Sequence, residues 1–77
     1  MGNYNYIVTN NALRKAASLR ISEATMMDVF NHGEQEKSNI GGWNAIRKYP
    51  GYEIGVYYDR KPTGEWTIIS VWKRERR

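Results

Sequence analysis

Residues 66–77 read WTIISVWKRERR, an apolar, strand-like run that ends in five consecutive charged residues. Because side chains alternate along a strand, this stretch predicts two different faces. The β-branched face, which we expect to pack under helices, carries Thr67, Ile69, Val71 and Lys73. The tryptophan face, which we expect to be open, carries Trp66, Ile68, Ser70 and Trp72. An open face with indoles and a hydroxyl beside basic groups is typical of a base-stacking and phosphate-binding surface. The alternative is that both indoles are ordinary core residues.

The two segments before this stretch also read as strands. WNAIRKY (residues 43–49) is followed by a Pro-Gly turn, and YEIGVYYD (residues 52–59) leads through the loop RKPTG into EWTIISVWK (residues 65–73). Such short connections predict an antiparallel meander. In the middle strand the alternation predicts two core residues, Ile54 and Val56. The open side of the same strand should carry Glu53, Gly55 and Tyr57.

Two helices are predicted before the strands. Apolar residues at spacings of one, three and four place the first helix at about residues 11–19, with an asparagine pair ending at Asn11 as its N-cap. The second helix should span about residues 23–32. Ser22 is its predicted N-cap, and Gly33 should end it in the left-handed conformation.

The remaining segments complete the predicted fold. YNYIVT (residues 4–9) should be extended, whereas GEQEKSNIGG (residues 33–42) is polar and loop-like, with room for a short strand at its start. We therefore predict one α+β domain over residues 1–77, with two N-terminal helices packed on a three- to four-stranded antiparallel meander sheet.

Composition excludes several classes of function. The 77 residues contain no cysteine and one histidine, so the sequence predicts neither a disulfide nor a zinc or other metal site, and no cofactor motif is present. No apolar run approaches the ~20 residues of a membrane helix. The N-terminal MGNYNYIVT lacks the pattern of a signal peptide, and we expect a cytoplasmic protein without a membrane partner.

The net charge of +4 is distributed unevenly along the chain. Residues 73–77 contain four bases and one acid, and so hold +3 of that charge. Residues 9–20 contain three bases and no acid, whereas residues 21–36 contain four acids and no base. A polarised basic surface of this kind indicates an anionic partner such as RNA.

The helix ISEATMMDVF and the strands YEIGVYY and WTIISVWKR together resemble small domains of the colicin D and RelE-like ribonuclease superfold. The resemblance covers nearly the whole chain and is greatest to uncharacterised members with the helix motif HA-x-x-R-M-x-x-R-G-I-S and a terminal strand ending in Val-Trp. It implies a compact α+β ribonuclease-like fold, often used as a toxin against tRNA or mRNA. In colicin-D-like members a helix-start histidine works with a Ser-x-Trp sequence, which Ser70-Val71-Trp72 matches here.

The match is incomplete at the first helix. Asn11-Ala12 stands where the family has His-Ala, the second arginine of the motif is Leu19, and its glycine is Arg20. An amide cannot replace a histidine in proton transfer. The only histidine of the chain, His32, lies at the predicted end of the second helix, where we expect it to interact with the helix dipole.

Basic and phenolic side chains are the remaining candidates for catalysis. Our predicted catalytic set is Ser70, Lys48, Tyr57 and Arg74. Our predicted nucleic-acid-binding set is Trp66, Trp72, Arg14, Lys15, Arg47, Lys73 and Arg76. Each of these residues has an ordinary alternative role, as a solvated charge or as sheet packing.

Three functions remain open from the sequence. The first is a small basic RNA-binding or ribonuclease-like, toxin-type protein, catalytically active or degenerate, with RNA and a cognate protein inhibitor as its partners. The second is a non-catalytic protein-interaction module. The third is a packing unit in which Trp66 or Trp72 covers a sheet edge, so we expect a monomer or a weak dimer.

Overall fold

The structure is a computed structural model that describes residues 6–75. This part of the chain is an α+β fold with two helices on one face of a five-stranded mixed sheet. The strand order is β1-β5-β4-β3-β2. In chain order the elements are β1 (Tyr6–Val8), α1 (Asn10–Ser18), α2 (Glu23–His32), β2 (Glu34–Lys37), β3 (Trp43–Tyr49), β4 (Tyr52–Arg60) and β5 (Trp66–Glu75).

The sheet is larger than predicted and not purely antiparallel. The predicted meander is confirmed as β3, β4 and β5, which pair antiparallel, and β2 extends it by pairing with β3. At the opposite edge β1 pairs parallel with β5, so that Tyr6 lies opposite Trp66 and Val8 opposite Ile68. The prediction of three to four antiparallel strands is therefore incomplete, because β1 and its partner are far apart in the sequence.

Helix α1 begins one residue earlier than predicted, and Thr9 rather than an asparagine is its N-cap. Thr9 Oγ1 accepts a hydrogen bond from Ala12 N at 3.2 Å, and it lies 3.0 and 3.1 Å from the carbonyl oxygens of Ile68 and Ile69, to which it donates. Asn11 instead donates from Nδ2 to the Ile69 carbonyl at 3.0 Å. The start of α1 is therefore fastened to the middle of β5.

The two helices end at about the predicted residues, but with different kinds of cap. After α1, Arg20 adopts a left-handed conformation with φ of 59°, and the amide of Ile21 donates to Ala16 O at 2.8 Å, a Schellman arrangement. Gly33 ends α2 in an extended conformation, with φ of −73°, so the predicted left-handed cap is wrong. Glycine is required there for space, because a Cβ would lie 2.6 Å from Val29 O.

The core lies between the helices and the facing side of the sheet. Helix α1 packs on β5, and α2 packs on β3 and β4. The burial of Ile54 and Val56 is as predicted. The buried apolar residues are Ala12, Ala16, Ile21, Met26, Val29, Phe30, Ala45, Ile54, Val56, Tyr58, Ile68 and Val71.

A β-bulge in β5 reverses the alternation of its side chains. Tyr57 lies opposite Ser70 but Tyr58 lies opposite Ile68, so Ile69 is an extra residue in β5. Ile68 and Val71 consequently both face the helices and are fully buried. Regular alternation placed Ile69 in the core and Ile68 on the open side, and both predictions are wrong, whereas the core position of Val71 is confirmed.

Arg20 provides a stability test of the α1 terminus. A left-handed conformation costs a non-glycine residue about 1–2 kcal/mol in the folded state. Glycine avoids this strain, but part of the gain in stability is offset because glycine makes the unfolded chain more flexible. We expect Arg20→Gly to raise the free energy of unfolding by about 0.5–1 kcal/mol, measured by thermal and urea denaturation. Arg14→Gly, which removes the same exposed side chain inside α1, should instead lower it by about 1 kcal/mol. Destabilisation by both substitutions would contradict the assigned cap.

Candidate nucleic-acid interface

The sheet face that lies away from the helices, here called the open face, is organised in three cross-strand rows. Directly opposed residues on neighbouring strands have Cβ atoms about 4.5–5.5 Å apart. The first row is Glu36, Asn44, Tyr57 and Ser70; the second is Glu34, Ile46, Gly55 and Trp72; the third is Lys48, Glu53 and Arg74. All four predicted catalytic residues therefore lie on the open face.

These four residues fall into two separate groups. Ser70 and Tyr57 share the first row, whereas Lys48 and Arg74 share the third. Arg74 is the fourth residue after Ser70 along β5, so about 13 Å of strand backbone separates the two positions. Within the described residues the Tyr57 hydroxyl is hydrogen-bonded to Gly41 and the Arg74 guanidinium to Glu53, so these two groups do not contact each other. Their spacing is suited to contacts with different parts of an extended ligand.

Tyr57 has a structural role in the first row. Its hydroxyl donates a hydrogen bond to the Gly41 carbonyl at 2.6 Å, which holds the loop between β2 and β3 against the open face. Gly42 lies under the same ring, since a Cβ there would be 3.1 Å from the Tyr57 hydroxyl. The hydroxyl proton of Tyr57 is thus committed to this loop.

Asn11 lies beside the Ser70-Val71-Trp72 segment. Its side-chain amide binds the carbonyl of Ile69, the residue that precedes Ser70. The fold therefore brings the first turn of α1 close to Ser70. The amide of Asn11 does not take up or release a proton near neutral pH, so it cannot act there as a general acid or base.

Trp72 covers the centre of the open face. Its indole lies directly on Gly55, where a Cβ would be 2.1 Å from Trp72 Cε2. Its Nε1 donates to Asn44 Oδ1 at 3.3 Å, and the guanidinium carbon of Arg74 lies 5.3 Å from the ring centroid. The indole is therefore fixed in place by a glycine, an amide and a cation.

The third row contains an ion pair that neutralises part of the positive charge. Glu53 is only 5% exposed and pairs with Arg74, whose Nε lies 3.1 Å from Glu53 Oε2 and whose Nη2 also binds that oxygen. The Arg74 side chain remains 69% exposed, so its outer edge faces solvent. Lys48 lies opposite Glu53 on the other side. The row presents two cations around one covered carboxylate.

Three residues predicted to bind nucleic acid lie on the helix side of the sheet. Trp66 packs against Phe30 with ring centroids 6.2 Å apart. It does so because the bulge at Ile69 reverses the side-chain alternation of the residues before Ser70. Arg47 pairs with Asp28 of α2, and Lys73 Nζ lies 4.7 Å from the Tyr52 ring centroid. The assignment of Trp66 to the face of Trp72 is therefore wrong. The remaining predicted residues are Arg14 and Lys15, which are exposed on α1, and Arg76, which lies outside the described residues.

One pocket was not foreseen from the sequence. It has a volume of about 190 Å³ and lies on the helix side, where α2 ends over the sheet. Its lining residues come from α2, β2, β4 and β5, so no local pattern brings them together. They are Phe30, Asn31, Gln35, Tyr58 and Trp66.

Two other classes of site find no support in the described residues. His32 is exposed, and its Nε2 lies 3.8 Å from Asp28 Oδ1, a contact along the surface of α2. Within residues 6–75 no group of three or more His, Cys, Asp or Glu side chains could hold a metal ion. In the same range neither helix has the length and apolar character that crossing a membrane requires.

The contact between Trp72 and Gly55 can be tested by a double-mutant cycle. Gly55→Ala places a methyl group inside the indole position, and we expect a loss of about 1–3 kcal/mol in the free energy of unfolding. In a Trp72→Leu background the same Gly55→Ala change should cost less than about 0.5 kcal/mol, because the indole is gone. Equal costs in the two backgrounds, measured by urea denaturation, would contradict the stacking of Trp72 on Gly55.

Comparisons with protein-family models, with curated proteins and with solved structures find no match to this chain. The function therefore rests on the geometry of the open face and of the pocket.

Proposed function

We propose that this protein binds single-stranded RNA on the open face of its sheet and does not cleave it. The observation that carries the proposal is the fixed Trp72 indole with Arg74 against it and Lys48 in the adjacent row. Indole and guanidinium planes stack on bases of any sequence, and lysine and arginine contact the phosphates between them. The net positive charge of the chain favours the same partner.

A ribonuclease-like ancestry of the chain is part of this proposal. Two local features support it beyond the strand motifs. Asn11 occupies the position of the family's histidine and lies next to the Ser-x-Trp segment. Arg20 occupies the position of the family's glycine and adopts the left-handed conformation that glycine favours. An RNA partner of this kind implies action in the cytoplasm, and a toxin ancestry implies a cognate protein inhibitor.

The absence of cleavage follows from the arrangement around Ser70. Attack by a ribose 2′-OH needs a general base, a general acid and a cation on the phosphate within one site. The row of Ser70 contains the side-chain amide of Asn44 and the phenol of Tyr57. The phenol already donates its proton in a hydrogen bond to the Gly41 carbonyl oxygen. The cations Lys48 and Arg74 lie about 13 Å further along the strands.

The salt dependence of RNA binding tests this proposal. Two phosphate contacts on a single strand predict a slope of about −1.4 for log K against log salt, or about a sevenfold loss of affinity between about 50 and about 200 mM. Lys48→Gln should weaken binding and reduce the slope by about 0.7. The measurement is fluorescence anisotropy with a labelled oligouridylate.

Lys61→Gln is the matched control, since Lys61 is an exposed lysine in the loop at the other end of β4. It should leave both affinity and slope unchanged. Equal effects of the two substitutions would show that binding depends on net charge alone. RNA that is cut by the wild type and left intact by Ser70→Ala would refute the non-cleaving assignment.

The edge strand β2 favours a second candidate function, a protein-interaction module. All four residues of β2 are exposed, and within the described range no strand pairs with its outer edge. Glu34 and Glu36 fall on the same face, so a second copy pairing there would place like charges opposite each other. A partner strand with lysine or arginine at alternate positions would complement this edge.

This alternative predicts a stable protein partner in the native host. Glu34→Lys combined with Glu36→Lys should abolish co-purification of that partner without weakening RNA binding, because both residues lie on the open face, where the change replaces negative by positive charge. Co-purifying nucleic acid with no protein partner would exclude the interaction module.

A further inference from the structure

The pocket between α2 and the sheet has walls made of aromatic rings. Phe30 meets Tyr58 edge-on with ring centroids 5.0 Å apart, and Tyr58 meets Trp66 at 5.4 Å. Arg60 lies over Trp66, with its guanidinium carbon 5.2 Å from the ring centroid, and holds the indole in place. These contacts fix the rings without depending on a ligand, so the pocket is largely preformed.

Polar groups converge on the same space. Tyr58 is only 4% exposed, yet its hydroxyl makes no hydrogen bond to any residue in the described range 6–75. The hydroxyl is not sealed in the core, since among the described residues the buried side-chain oxygen without a partner is Thr67 Oγ1, so the Tyr58 hydroxyl keeps access to solvent and to a ligand in the pocket that it lines. The amides of Asn31 and Gln35 complete the lining, and Gln35 donates from Nε2 to Gly33 O at 3.2 Å, which leaves its carbonyl oxygen to accept.

The state of the tyrosine hydroxyl adds to this picture. Burial raises the pKa of Tyr58 above its ordinary value of 10.0 by desolvation. The phenol is therefore neutral across the physiological range, and it can both donate and accept a hydrogen bond.

We propose that this pocket binds a nucleobase, with its ring against Tyr58 and Trp66 and its polar edge on the Tyr58 hydroxyl and the two amides. The volume of about 190 Å³ is below the roughly 300–1,000 Å³ of pockets for drug-sized ligands, which suits a single planar ring system. Three aromatic walls with hydroxyl and amide groups at one side match a flat heterocycle with a hydrogen-bonding edge. The pocket lies on the opposite side of the sheet from Trp72, so this inference goes beyond the proposed RNA contact on the open face.

The test uses uncharged nucleosides, which carry the base without a phosphate. Adenosine, guanosine, cytidine and uridine are each titrated into ¹⁵N-labelled protein, and the Trp66 indole N–H and the side-chain amides of Asn31 and Gln35 are followed by NMR. At least one nucleoside should produce saturable shifts at these signals, with an affinity that does not change with salt. Tyr58→Phe should weaken that binding about tenfold or more, since it removes a hydrogen bond to a buried hydroxyl.

Stability separates a binding role of the hydroxyl from a structural one. Because the Tyr58 hydroxyl is unpaired in the described structure, Tyr58→Phe should leave the melting temperature unchanged or raise it. Tyr57→Phe is the matched control on the adjacent residue. It removes the hydrogen bond to Gly41 and should lower the melting temperature while nucleoside binding is retained.

Two outcomes would overturn the nucleobase site: no nucleoside shifts these signals, or Tyr58→Phe binds as tightly as the wild type. Either result leaves the salt-sensitive RNA contact on the open face intact, so the two proposals fail separately. A parallel titration with oligouridylate identifies the source of the base. If Tyr58→Phe weakens the binding of oligouridylate as much as it weakens the binding of the nucleoside, the pocket takes a base within RNA. If the affinity for oligouridylate is unchanged, the pocket takes a free nucleobase compound.

Discussion

The extra residue Ile69 in β5 is the constraint on which the rest of the structure depends. Its carbonyl oxygen accepts a hydrogen bond from the side chain of Asn11 and, together with that of Ile68, from the hydroxyl of the cap residue Thr9. These bonds hold the start of α1 on the central part of β5. The bulge also changes which side chains face the helices, so that Trp66 lies under α2 and Trp72 lies on the opposite face.

The two tryptophans consequently serve two different environments. On the open face, Trp72 lies on Gly55 among charged side chains, where interactions with a polyanion are screened by salt. On the helix side, Trp66 joins Phe30 and Tyr58 around a pocket with amide and hydroxyl groups, where contacts between neutral rings dominate. One strand thus contributes to both surfaces, and a single sheet separates them.

Much of the fold could be predicted because local signals were strong. The bounds of α2 and β3, the Pro-Gly turn and the β4–β5 hairpin follow from capping residues, alternation and turn chemistry. The edge strands were harder, since β1 has three residues and β2 consists of Glu and Lys residues with a glutamine, which lack an apolar pattern. Parallel pairing of β1 depends on a contact across most of the chain, which no local window contains.

The candidate site shows why alternation alone was insufficient. Residues 66–69 are apolar or β-branched on both faces, so shifting the register by one residue leaves the pattern equally acceptable. The open positions of Ser70 and Trp72 were predicted correctly because they follow the bulge in register with Gly55 and Tyr57. Trp66 was misplaced because it precedes the bulge, and with it the aromatic pocket was missed.

The separation of the two tryptophans can be measured directly by nuclear Overhauser contacts in the ¹³C,¹⁵N-labelled protein. The bulge predicts contacts from the Trp66 ring to Phe30 and Tyr58, and from the Trp72 ring to the Gly55 Hα protons, which should also be shifted upfield by the indole above them. Contacts from the Trp66 ring to Tyr57 or other residues of the open face would put both indoles on one face, and would contradict the bulge and the two surfaces derived from it.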